Sequence, residues 1–171
     1  MNVKPTLRAF IILVILISTI SCDQISKNMI RQKVEENQHI QVISNYFTIT
    51  KIENTGAFLS LGNSLPRPIS IILLTILPLI VIGFSLIYLF MNHKLSYFKV
   101  LGISFILGGG TGNIYDRILF GSVTDFLHMD LIIFQTGIFN LADVSIMTGM
   151  FILIVEVIFE KSNLNFKTSD N

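Results

Sequence analysis

With 171 residues, of which 51% are hydrophobic and only 13% charged, and a mean hydropathy of +0.70, the chain is too apolar for a soluble domain of its size and points to a membrane as its solvent. Its 12 basic and 11 acidic residues leave a net charge of +1, which offers neither a polybasic field for nucleic acid nor an acidic disordered tail. The lone Cys22 excludes an internal disulfide, and Cys22, His39, His93 and His128 lack metal-ligand spacing, so neither a metal nor another cofactor is expected.

A helix needs about 20 apolar residues to cross a hydrocarbon core of roughly 30 Å. Four stretches qualify, at about 9–30, 69–91, 98–117 and 138–159. The chain therefore reads as a single-domain, all-α membrane protein with four transmembrane helices. The first stretch has two readings. Its uninterrupted apolar run stops at Cys22 and Asp23, and with Lys4 and Arg8 ahead and Thr19-Ile20-Ser21-Cys22 behind it resembles a lipoprotein signal that would leave Cys22 as the new N-terminus. Yet Gln24-Ile25-Ser26-Lys27-Asn28-Met29-Ile30 contains no helix breaker, so the helix can continue and set Asp23 and Lys27 on one face at i,i+4. Three further spans favour the anchor.

Beyond it, Tyr46-Phe47-Thr48-Ile49-Thr50-Lys51-Ile52 is rich in β-branched and aromatic residues, as is the shorter Ser122-Val123-Thr124-Asp125-Phe126. Residues 38–60 with 118–137 are expected to form a small extracytoplasmic β subdomain. Leu61-Gly62-Asn63-Ser64-Leu65-Pro66-Arg67-Pro68 has loop punctuation, and the second span carries Pro78, which a membrane helix tolerates when neighbours re-satisfy the freed carbonyl. An even number of spans puts both termini and the loop His93–Tyr97 on one side. Basic residues divide six and six between the two sides; Lys4 and Arg8, flanking the dominant first span, place the termini inside.

In the third span, Gly108-Gly109-Gly110-Thr111-Gly112 reads as a close helix-packing surface rather than a phosphate loop. Asp116 and Arg117 end that span, and Asp125 follows within nine residues. In the fourth, Asp143 lies about five residues in, with Asn140 three positions earlier on nearly the same face. Carboxylates at membrane depth cost several kcal/mol, roughly 2.5 to 3.5 for a central Asp. Two carboxyls in one wet pocket share a proton: one takes a proton from attacking water, while the other donates to the oxyanion or leaving amine. Residue by residue, a plainer reading competes, in which Asp116 or Asp125 simply pairs with Arg117 or Lys27. A small proton-coupled transporter could also use such carboxylates, although most acidic residues gather toward one face.

Five motifs, taken in order, resemble the lipoprotein signal peptidase (signal peptidase II) family over nearly the whole chain. They are Asp23-Gln24-Ile25-Ser26-Lys27, Asn54-Thr55-Gly56-Ala57, Gly112-Asn113-Ile114-Tyr115-Asp116-Arg117, Gly121-Ser122-Val123-Thr124-Asp125-Phe126 and Phe139-Asn140-Leu141-Ala142-Asp143. Phe58 and Gly110 depart from the usual pattern without touching the chemistry. The resemblance implies an aspartic endopeptidase of the bacterial inner membrane, with cytoplasmic termini and an active site near the periplasmic face. It implies cleavage of diacylglyceryl-modified prolipoproteins just before the lipidated cysteine, with membrane lipid as the surrounding partner. It carries the catalytic roles onto Asp125 and Asp143, and supporting roles onto Asn54, Asn113, Asp116, Arg117, Asn140, Asp23 and Lys27.

Overall fold

The computed structural model describes residues 5–36, 38–44, 46–57, 61–131 and 133–169, with side chains to residue 161. Lys4 and Phe58, singled out above, lie outside the described residues. Helix α1 (Pro5–Lys33) is followed by strands β1 (His39–Ile43) and β2 (Phe47–Asn54), helix α2 (Arg67–Met91), helix α3 (Tyr97–Phe120), strand β3 (Val123–Met129) and helix α4 (Leu141–Ser169). Helix α1 runs through Cys22 and Asp23 without a break, because 24–30 contains neither proline nor glycine to interrupt it.

Helix α2 answers Pro78 with a π turn over Ile72–Ile76, in which the Leu77 N–H reaches back five residues to Ile72 O. The proline has no N–H to offer, and the wider turn just before it absorbs the mismatch. Helix α3 opens on Ser96, whose Oγ accepts from Lys99 N at 3.1 Å. It closes on Gly121 at φ 76°, a left-handed cap that glycine adopts without a Cβ penalty.

Three helices, Pro5–Lys33, Arg67–Met91 and Leu141–Lys161, are long and apolar enough to cross a membrane. Of the four spans expected, three are met on length and composition among the described residues. Helix α3 falls short because its glycines and its polar end, Asn113, Asp116 and Arg117, dilute its hydropathy. It can be polar because it is the innermost element, packing on α1, α2 and α4, with Val100, Gly102, Ser104, Leu107, Gly112 and Asp116 among its buried residues.

The glycine run explains that centrality. A Cβ on Gly108 would strike Thr19 of α1, one on Gly109 would strike the Ala142 carbonyl of α4, and one on Gly110 would lie 3.0 Å from Ile82 of α2. Three consecutive glycines thus meet three different helices. Ile12, Leu89, Val100 and Leu107 form the buried apolar cluster nearer the opposite end.

The strands make one antiparallel sheet in the order β1-β2-β3. Asn54 pairs with Val123, Glu53 with Thr124 and Ile52 with Asp125, and the register slips between Ile49 and Ile52. That bulge twists β2 and leaves Asn54 diagonal to Asp125. After β3 the chain returns so that Phe139 bridges Leu127, and α4 starts at Leu141 rather than near 138.

Candidate active site

Asn140 caps α4 reciprocally with Asp143. Its Oδ1 accepts from Asp143 N at 3.0 Å, while Asp143 Oδ2 accepts from Asn140 N at 3.2 Å. This is the capping-box arrangement with an aspartate in the third helical position. Asp143 consequently sits in the first turn of α4 and is only partly buried, nearer the mouth of the bundle than its place in the apolar run suggested.

Asp125 reaches the same point from β3. It is 4% exposed; its Oδ1 accepts from Asn140 Nδ2 at 2.6 Å and its Oδ2 from Asn54 Nδ2 at 2.9 Å. Asn54 is held in turn, donating to Ala57 O at 3.0 Å and accepting from Gly56 N at 2.9 Å. Burial pushes the Asp125 carboxyl up to about 6, and the charge of Asp143 adds to the rise, while the amides of Asn54 and Asn140 oppose it.

The two carboxylates line one cavity of about 40 Å³ with Asn54, Asn113, Arg117 and Asn140. That is room for water, since one molecule occupies roughly 10 to 15 Å³ on this measure. Asn113 Nδ2 donates to Asp143 Oδ1 at 2.8 Å. Arg117 Nη2 donates to Gly56 O at 2.7 Å, and its Nε is buried with no partner. Among the described residues, no three His, Cys, Asp or Glu side chains gather as a metal centre.

Asp23, Lys27 and Asp116 stand behind this cavity, each fully buried. Lys27 Nζ lies 2.8 Å from Asp23 Oδ2 and 3.0 Å from Asp116 Oδ2, and donates to Asn113 Oδ1 at 2.9 Å. Asp23 Oδ1 accepts from Ala142 N at 2.9 Å, tying α1 to the first turn of α4. The plainer reading of ion pairing thus holds for Asp116, whose partners are Lys27 and Arg31, and not for Asp125, which accepts from the amides of Asn54 and Asn140.

Gln24, Arg31, Thr124 and Glu53 escaped sequence reasoning. Arg31 Nη2 lies 2.9 Å from Asp116, its Nε donates to Thr124 Oγ1 at 2.7 Å, and its guanidinium stacks over Phe120 at 4.1 Å. Thr124 then donates to Glu53 at 2.8 Å, and Gln24 donates to Asp116 Oδ1 at 3.1 Å. One signal existed: Arg31 follows Lys27 by four positions, on the helix face that Asp23 begins.

A model of the family described as signal peptidase II matches residues 14–159. The lipoprotein signal peptidase of Streptococcus agalactiae serotype V is 35% identical over 159 residues, covering 93% of this chain and 99% of the relative. That of Clostridium novyi is 32% identical over 150 residues, covering 85% and 96%. A solved structure described as a bacterial membrane enzyme superposes with a TM-score of 0.79 at 25% identity, covering 89% of this chain and 90% of the other.

Proposed function

The chain belongs to the signal peptidase II family, and from that premise we propose that it is an aspartic endopeptidase that removes the signal peptide from diacylglyceryl-modified prolipoproteins, cutting just before the lipidated cysteine. One observation carries the aspartic chemistry. Asp125 and Asp143 arrive from different elements, line one small polar cavity and both bond to Asn140. Carboxylates that face one small cavity in this way share a proton.

In this reading Asp125, the carboxyl that burial pushes upward, holds the shared proton. Asp143 accepts a proton from the attacking water. Asp125 then donates to the developing oxyanion or to the departing amine, so that no covalent intermediate forms. The unpartnered Nε of Arg117 is a ready donor for a substrate carbonyl. A second, apolar cavity of about 440 Å³, lined by Met129, Phe134, Phe139, Val144 and Met147, shares Ile138 with the catalytic one, and it suits the apolar part of a signal peptide.

Helix α3, 24 residues long, serves as the fourth span, shielded from lipid by the other three. The catalytic end then faces the periplasm, with the termini in the cytoplasm and the bundle in the bacterial inner membrane. The proton-coupled transporter finds no support, because the relatives reported above are peptidases by name and the carboxylate cavity sits at one end of the bundle. Cleavage of a diacylglyceryl-modified prolipoprotein by purified protein in detergent tests the reading. Wild type should produce the gel shift, and Asp125→Asn and Asp143→Asn should not. Turnover by either variant would remove that residue from the pair.

A further inference from the structure

At the other end of the bundle, Arg8 lies near the start of α1 and is only 8% exposed. Its Nη2 donates to Leu89 O at 2.6 Å, its Nη1 lies 3.1 Å from His93 Nδ1, and its Nε is buried without a partner. Among the described residues no carboxylate forms an ion pair with it; the ion pairs there belong to Lys27, Arg31 and Lys99. Leu89 O lies in the last turn of α2, where carbonyls carry only about half a negative charge in total. A buried unit charge therefore stands incompletely compensated.

A cavity of about 320 Å³ opens beside it, lined by Arg8, Thr6, Ala9, Ile12, Phe90 and His93. Ala9, Ile12 and Phe90 make the remaining wall apolar. Arg8 precedes Lys27 by 19 residues, about 28 Å along a helix at roughly 1.5 Å per residue. That is close to one hydrocarbon thickness of about 30 Å, so the cavity falls at headgroup depth in the leaflet opposite the catalytic cavity.

We propose that Arg8 and His93 form a phosphate-binding site, with an apolar wall that accommodates the glycerol and upper acyl carbons of a membrane phospholipid. The guanidinium supplies charge-assisted N–H donors and the imidazole orients it. The site does not depend on the catalytic assignment and uses none of its residues.

The test is thermal unfolding of the delipidated full chain in dodecylmaltoside, titrated separately with phosphatidylglycerol, inorganic phosphate and diacylglycerol. Native mass spectrometry would count bound lipid on the folded fraction. Phosphatidylglycerol should raise the melting temperature where diacylglycerol does not, and Arg8→Gln should bind it about tenfold more weakly, as expected for losing charge-assisted hydrogen bonds. Ala9→Phe, which fills the cavity but keeps Arg8 and its bond to Leu89, should lose the same protection. Protection by phosphatidylglycerol alone would identify a lipid headgroup; equal protection by inorganic phosphate would identify a soluble anion at the same site. Diacylglycerol matching phosphatidylglycerol, or both variants binding like wild type, would overturn the proposal.

Discussion

The ammonium of Lys27 donates to Asn113 Oδ1 at 2.9 Å, which turns the other end of that amide toward Asp143, 2.8 Å from Asn113 Nδ2. A lysine on the first helix thus fixes which atom of an asparagine faces a candidate catalytic carboxylate. Lys27→Met should cost about 3 to 5 kcal/mol, because Asp23 and Asp116 lose a shared buried cation. It should also lower turnover, since the amide is no longer held. Thermal unfolding together with prolipoprotein cleavage checks both, and wild-type values for Lys27→Met would refute the arrangement.

Asn140 touches both carboxylates and caps α4. Asn140→Ala should remove a cap worth about 0.5 to 2 kcal/mol. It should also reduce kcat by more than tenfold, because Asp125 loses a donor that orients it. Asn140→Ser, which can still cap, should recover most of the melting temperature and little of the rate. Equal recovery of both would reduce Asn140 to a helix cap.

The Asp125 carboxyl, ordinarily near 3.8, is pushed up to about 6. The folded state therefore binds the proton more tightly than the unfolded chain does. The stability this contributes is fully present below about pH 4 and is lost as pH rises through about 6. Relative to Asp125→Asn, which does not titrate, wild type should lose about 2 kcal/mol between pH 4 and pH 7. Parallel unfolding curves for the two proteins over that range would contradict the shift.

Gly109 abuts the Ala142 carbonyl, whereas Gly83 has nothing within 4 Å of the space a Cβ would fill. Gly109→Ala should destabilise by about 1 to 3 kcal/mol through overpacking against backbone. Gly83→Ala should be neutral or stabilising by up to about 1 kcal/mol through helix propensity. Melting temperatures in one detergent separate the two, and equal shifts would argue against close packing at Gly109.

Much of this architecture was legible because apolar run length is a direct physical requirement for crossing lipid. The errors fall where apolarity serves two purposes. Ile138 and Phe139 extend the apolar run of the fourth span, yet Phe139 bridges Leu127 in the sheet, and run length cannot separate a strand from a helix end. Asn140, a capping residue beside them, was the better boundary signal. Helix α3 reads as an apolar span, although its inward polar residues lower its hydropathy below that of its neighbours. The meeting of Asp125 with Asp143 depends on strand register and on the return of the chain after β3, which no local pattern encodes. Arg31 was overlooked because a basic residue at the end of an apolar helix looks like an ordinary interfacial anchor.

The three glycines at 108, 109 and 110 have a consequence for how the end that holds the carboxylate cavity stays aligned. Turning α3 by one residue, about 100° with about 1.5 Å of travel, would present Leu107 or Thr111 where only a hydrogen fits. The helix is therefore keyed in rotation and in depth by three neighbours at once. Asn113 lies less than one turn further along, so its aim is set in the dry interior of the bundle. Changes in bilayer thickness or in the watery cradle can tilt the bundle as a body without turning that amide away from Asp143.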